Sequence, residues 1–169
     1  MRYLIIIFIL LLHCSCSNSQ TLKQIHESLE YRSSLAYDAN EYEKAISLFD
    51  SLIIKDSTNG DFYFKRGRCH MLQDNSIPFD VTIKMSNKEL LQLTEAKNKP
   101  AINDFLTAIK LGFKRKVAYL DLGVIYTFLN DNIALEYFTK SLNEDSNYER
   151  AKHEIGLCNV RIKKNQHFY

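Results

Sequence analysis

Histidine and cysteine side chains are the groups in this chain best suited to bind a metal ion or to carry out nucleophilic chemistry. Beyond residue 20 they are widely separated: His26, His70, His153, His167, Cys69 and Cys158. No two histidines have the i, i+4 spacing that places two ligands on one face of a helix. His153 and Cys158 are five residues apart, a spacing that does not let both face one ion. The spacing therefore predicts no metal site and no cofactor.

Other catalytic motifs are also missing from the sequence beyond residue 20. It contains no phosphate-binding loop, no Gly-x-Ser-x-Gly elbow, no His-Glu-x-x-His helix and no Cys-x-x-Cys pair. Asp56 to Asp61 has the oxygen-rich composition of a calcium loop, but no glutamate follows at the distance needed for bidentate coordination. We therefore expect a binding protein and not an enzyme.

One helical phrase, a small residue followed four positions later by Phe, occurs three times. The copies begin with Ala and end with Phe: Ala45 to Phe49, Ala101 to Phe105 and Ala134 to Phe138. A second phrase, an aromatic residue followed by Gly four positions later, precedes the later copies at Tyr63 to Gly67 and Tyr119 to Gly123, with a remnant at Ile155-Gly156. Apolar residues follow at helical spacing, which indicates helices packed through these positions.

Together these phrases resemble the tetratricopeptide repeat (TPR), a helix–turn–helix unit of about 34 residues. Gly123 and Gly156 are 33 residues apart, which is close to one repeat. Gly67 and Gly123 are 56 apart, so the second repeat carries an insertion at about 75–98. The resemblance implies an all-α fold, an α-solenoid of about three TPR-like repeats plus a C-terminal capping helix.

Helices are predicted at about 21–39, 42–55, 60–74, 100–111, 115–130, 132–143 and 148–164. The last is rich in charge and lacks a following partner helix, as expected of the polar cap that closes a helical stack. Within the insertion, Phe79, Val81, Ile83 and Met85 alternate with polar residues, a strand pattern. We leave open whether that strand is an edge for a partner or packs on the helices. Ser86 and Glu89 then form a predicted capping box.

Cys69 and Cys158 each follow a repeat glycine by two residues. Equivalent sites in stacked repeats are roughly 20 Å apart, because neighbouring helices pack at 8–10 Å. A disulfide needs Cα atoms within about 7 Å. Both cysteines are therefore predicted to be free thiols.

Residues 1–19 have the pattern of a targeting signal. Arg2 precedes an apolar run from Tyr3 to Leu12 that is too short to span a bilayer. The run ends near Cys14 and Cys16, which resembles the bacterial lipoprotein signal. We prefer Cys16 as the lipidated residue, because a small Ser precedes it; ordinary secretion with cleavage after Ser19 is the alternative. The resemblance implies a protein exported to the cell envelope, with an N-terminal lipid as its membrane contact, or else a soluble periplasmic or secreted protein.

The remaining domain, 20–169, is nearly neutral. Arg2 is the one charged side chain among residues 1–19, which leaves 21 Lys and Arg against 20 Asp and Glu. Nucleic-acid binding needs clustered cations that face the phosphate backbone. We therefore predict no nucleic-acid partner.

The TPR resemblance implies that partners bind in a concave groove lined by the first helix of each repeat. Transferring the family's groove spacing gives these candidates: Glu30, Ser34, Tyr37, Phe64, Arg68, Met71, Leu120, Val124, Thr127 and His153, with Leu157 beside the last. Arg68 is interpreted as a cation without an in-chain partner that meets an acidic or carbonyl group of the partner. Family members that clamp a terminal carboxylate use Lys, Asn and Arg where this chain has Glu30, Ser34 and Val124, so that partner class is disfavoured.

Two functions remain after these exclusions. The preferred one is a protein–protein interaction scaffold that holds an unknown protein or peptide partner in the groove. The alternative is an accessory protein that captures a small molecule or glycan in the groove or under the insertion. Glycan capture commonly uses exposed Trp for stacking, and this chain contains none.

Overall fold

The computed structural model describes residues 28–73 and 85–166, and within them the chain forms seven helices and no strand. In chain order the helices are α1 (28–38), α2 (Tyr42–Lys55), α3 (Gly60–Leu72), α4 (Asn87–Lys110), α5 (Arg115–Tyr126), α6 (Asp131–Glu144) and α7 (Glu149–Gln166). From α2 to α7 each helix packs against the next. This architecture is the predicted all-α helical-repeat solenoid.

Side-chain caps mark the start of α3 and α6. The Asn59 side chain accepts a hydrogen bond from the Asp61 N–H at the start of α3, and Asn130 does the same for two N–H groups of α6. In the turns that precede α3 and α7, Asp56 and Asp145 each accept a hydrogen bond from the N–H two residues later, at 2.9 and 3.0 Å. These contacts satisfy backbone groups that a helix end leaves unpaired.

The repeated Gly and Phe residues pack against one another between the two helices of one repeat. A Cβ atom placed on Gly123 would lie 2.4 Å from ring carbons of Phe138, and one on Gly67 would lie 3.2 Å from Phe105. Both phenylalanines are fully buried. Glycine therefore lets the second helix of each of these repeats bring its Phe directly against the backbone of the first.

The predicted start of a helix at residue 100 is wrong. Helix α4 begins at Asn87 and runs without interruption for 24 residues with Pro100 inside it. The Ser86–Glu89 capping box is present, as predicted. An interior proline costs about 3 kcal/mol. The capping box stabilises the part of the helix before Pro100, and the buried residues between Ala101 and Ala108 stabilise the part after it.

Several predictions lie outside the described residues or on their edge. The signal at 1–19 with Cys14 and Cys16 lies outside them, and so does the predicted strand up to residue 84; Met85 lies in a bend. None of the described helices has the length and apolar composition needed to cross a membrane. Cys69 and Cys158 are both free and buried, which confirms the prediction that they do not pair.

Candidate partner-binding groove

Nine of the ten groove candidates lie on α1, α3, α5 and α7, the first helices of successive repeats, and Thr127 directly follows the last residue of α5. Eight of the ten are at least partly accessible to solvent. These are Glu30, Ser34, Tyr37, Arg68, Met71, Val124, Thr127 and His153, of which His153 is the most exposed. The accessible side chains are the ones that a partner could contact without rearrangement of the repeats.

Two candidates are wrong as contact residues. Phe64 is 3% exposed and Leu120 is fully buried. Phe64 packs on Phe105 and Phe113, with ring centroids 5.9 and 5.8 Å apart. The family spacing placed both residues on the groove side of their helices, but each side chain fills the space between helices instead.

Arg68 is not a lone cation, which corrects the interpretation drawn from the sequence. Its Nε atom lies 3.4 Å from a carboxylate oxygen of Asp121 on α5, and that carboxylate is almost completely buried. The pair is too long and too poorly aligned for a hydrogen bond, so both facing atoms are buried without one. The guanidinium carbon lies 5.7 Å from the centre of the Phe64 ring, at the distance of a cation–π contact.

Burial dominates the electrostatics around this pair. It raises the pKa of the Asp121 carboxyl, and the positive charges of Arg68 and Arg150 partly oppose that shift. Burial likewise raises the pKa of the Tyr37 hydroxyl, again opposed by Arg68. Tyr37, Arg68, Asp121 and Arg150 come from four successive first helices. Tyr37 is close enough to feel the charges of Arg68 and Asp121, and Asp121 is close enough to feel those of Arg68 and Arg150.

A second arginine fixes the helix that carries Arg68. Arg66 donates two hydrogen bonds to the buried carboxylate of Asp104 on α4, at 2.8 and 2.6 Å, and a third to Asp50 on α2 at 2.6 Å. Charge-assisted bidentate pairs of this kind are among the strongest side-chain contacts. Helix α3 is therefore fastened to both of its neighbours.

Asp121 is the important residue that sequence reasoning missed. It is the one acidic residue in the otherwise apolar run from Val117 to Ile125. An isolated carboxylate between Leu120 and Leu122 is a usable signal, since buried charges are almost always paired. Its partner, Arg68 on α3, is 53 positions away in sequence, so only the folded structure shows that the two side chains meet.

No group of three or more metal-ligating side chains comes together within residues 28–73 and 85–166.

No model of a known protein family matches the sequence, and no curated protein matches it significantly. Solved TPR-type structures do match. The crystal structure of MamA aligns with a TM-score of 0.63 at 21% identity, over 82% of this chain and 68% of that one. The TPR domain of Arabidopsis OM64 aligns at 0.59 and 18%, over 80% and 94%. The TPR domain of P58(IPK) aligns at 0.65 and 18%, over 86% of this chain but 35% of that chain. Identities this low show a shared fold, and that fold is the TPR solenoid.

Proposed function

We propose that this protein, which has the TPR fold, is a scaffold of the cell envelope that binds an acidic segment of a protein or peptide partner in its groove. The observation that carries the proposal is the guanidinium of Arg68. Its Nε faces Asp121, whereas its two terminal NH₂ groups make no hydrogen bond to any described residue.

The free end of Arg68 suits a carboxylate. A guanidinium presents two parallel N–H donors that match the two oxygens of a carboxylate. The side chain is one-third exposed, so a partner can reach it, and its stem is held over Phe64. Tyr37, whose hydroxyl is close enough for the Arg68 charge to affect its pKa, and Met71, three residues after Arg68 on α3, are both partly exposed and offer a hydroxyl and an apolar surface.

Asp121 holds Arg68 in place for this contact. Because the buried Asp121 carboxylate faces Nε, it does not occupy the two terminal NH₂ groups of the guanidinium. The groove site therefore presents a positioned cation to the partner, which favours acidic over basic segments.

The envelope location rests on the N-terminal pattern of an apolar run that closes on Ser15-Cys16. If Cys16 carries lipid, Cys16→Ala moves the protein from membranes into the soluble envelope fraction, and Cys14→Ser leaves it anchored. A soluble wild-type protein whose N-terminus begins at Gln20 contradicts the lipid anchor.

A double variant tests the groove. Arg68→Gln with Asp121→Asn removes both charges together, because Arg68→Glu would set two carboxylates side by side and destabilise the fold. Partners captured from envelope membranes by cross-linking with the wild-type protein should be lost in the double variant. The matched control is Arg115→Gln with Glu144→Gln, which removes an ion pair between α5 and α6 that includes no groove candidate.

Both double variants should retain the helical circular dichroism signal and the cooperative thermal transition of the wild-type protein. If the groove variant still captures the partner, the groove model is wrong. If replacing residues 75–84 by a Gly-Ser linker removes capture while the groove variant does not, the insertion is the functional site instead.

A further inference from the structure

A cleft of about 340 Å³ opens where α4 continues beyond the neighbouring helices. Helix α4 has 24 residues, whereas its neighbours α3 and α5 have 13 and 12. Its additional first turns extend past the end of α5 and leave a space between the two helices. The lining residues are Gln92, Glu95, Ala96, Lys99, Ile102 and Tyr126. The cleft contains none of the groove candidates, so it is a separate site.

One side of the cleft is apolar and held rigidly. The ring of Tyr126 stacks on Tyr137, with centroids 5.3 Å apart and planes inclined by 22°. Ile102 is largely buried in the core that includes Phe105. A flat aromatic ring beside a branched aliphatic side chain is a suitable surface for an apolar group of a small ligand.

The other side carries opposite charges that do not pair with each other. Glu95 and Lys99 have the i, i+4 spacing and the order that normally favour an ion pair on a helix. In the described part of the chain they form no such pair, and neither makes a hydrogen bond to another described residue. Both remain available to a ligand in the cleft that they line.

Pro100 leaves a backbone carbonyl on this side of the cleft without its helical hydrogen bond. Proline has no N–H, so the helical hydrogen bond from residue 100 to the carbonyl of Ala96 cannot form. Ala96 lines the cleft between Glu95 and Lys99. A carboxylate and a carbonyl that lacks its normal helical donor therefore lie within one turn of an ammonium group.

From this arrangement we infer that the cleft binds a small zwitterion, an α-amino acid with an apolar side chain. Its ammonium group interacts with Glu95 and the Ala96 carbonyl, its carboxylate with Lys99 and Gln92, and its side chain with Ile102 and the Tyr126 ring. A neutral sugar fits less well, because it would desolvate Glu95 and Lys99 without supplying a counter-charge to either. The volume is at the lower end of the range for small-molecule sites.

Isothermal titration of residues 20–169 with a panel of free amino acids and neutral monosaccharides tests the inference. Apolar amino acids should bind saturably with a Kd in the range of about 0.1–1 mM, as expected for an open site. Their N-acetyl amides, which lack both charges, should not bind. Glu95→Gln and Lys99→Gln should each raise the Kd at least about tenfold, because each removes one charge contact.

The groove double variant, Arg68→Gln with Asp121→Asn, should leave this Kd unchanged, which separates the cleft from the proposed partner groove. Glu95 and Lys99 are exposed, so their variants should keep the wild-type thermal transition. The inference is overturned if no amino acid saturates the protein by about 10 mM, if monosaccharides bind in their place, or if the two charge variants bind with wild-type affinity.

Discussion

The three repeat glycines allow a sharp test of how the helices pack, because they share a sequence context but differ in surroundings. Next to Gly123 an added Cβ would lie 2.4 Å from two ring carbons of Phe138. Next to Gly156 it would meet nothing within 4 Å. Substituting Ala at each position introduces the same methyl group into a closed site and an open one.

The expected free energies of unfolding change in opposite directions. Ala is better than Gly inside a helix by roughly 0.5–1 kcal/mol, so Gly156→Ala should stabilise the protein by about that amount. Gly123→Ala has the same intrinsic gain but forces the Phe138 ring away. That ring is fully buried and has no free space to enter. Overpacking of this kind costs about 1–3 kcal/mol, which leaves a net destabilisation of about 1–2 kcal/mol.

Urea unfolding of residues 20–169, followed by circular dichroism, measures both changes. The two variants should differ by about 2 kcal/mol, which corresponds to several degrees in Tm for a domain of this size. Gly67→Ala is an intermediate case, because the nearest atoms to its added Cβ are at 3.1 and 3.2 Å. Its stability should fall between those of the other two variants.

The reasoning is refuted if Gly123→Ala is as stable as Gly156→Ala. That result would mean that α5 and α6 are further apart than the contact between Gly123 and Phe138 requires. A destabilised Gly156→Ala would instead show that another helix covers α7 at this position.

Three further predictions follow from buried polar groups. Arg66→Ala should lower the free energy of unfolding by about 3–5 kcal/mol in urea titrations, because it leaves the Asp104 carboxylate buried and unpaired; Asp50→Asn, at the exposed end of the same network, should cost far less. Burial raises the pKa of the Cys69 thiol to about 12. Native protein at pH 8 should therefore resist alkylation at Cys69, whereas urea-unfolded protein should be alkylated there, and mass spectrometry measures the difference. Burial lowers the pKa of His70, so its contribution to stability is complete above about pH 6.5, decreases below that pH, and is lost once the pH has fallen through the lowered pKa of the folded state. In thermal melts between pH 7.5 and 5.5, the Tm of His70→Tyr should therefore decrease less than the Tm of the wild-type protein.

Features set by local sequence were predictable, and features set by distant contacts were not. The Ser86–Glu89 capping box depends on two residues three positions apart, so their identities were sufficient to predict it. The packing of Phe138 on Gly123 followed because repetition itself supplied the register.

The errors have one physical origin. A side chain on the groove side of a helix can reach the groove or the space between helices, and spacing alone did not distinguish these for Phe64 and Leu120. Arg68 was interpreted as unpartnered because Asp121 lies on another repeat. Helix α4 continues through Pro100 because contacts before and after the proline outweigh its local tendency to end a helix.

The Arg66 network has a consequence for how this array comes apart. Terminal repeats of a solenoid normally fray first, since each has one neighbour instead of two. Here a single guanidinium joins Asp50 in the first repeat to Asp104 in the second. Separating α2 from α3 must therefore break a bond of the same side chain that holds α4. Because Asp50 is half exposed and Asp104 is buried, fraying of the first repeat breaks only the weaker Asp50 bond, whereas Arg66 stays bound to Asp104 and keeps α3 on α4.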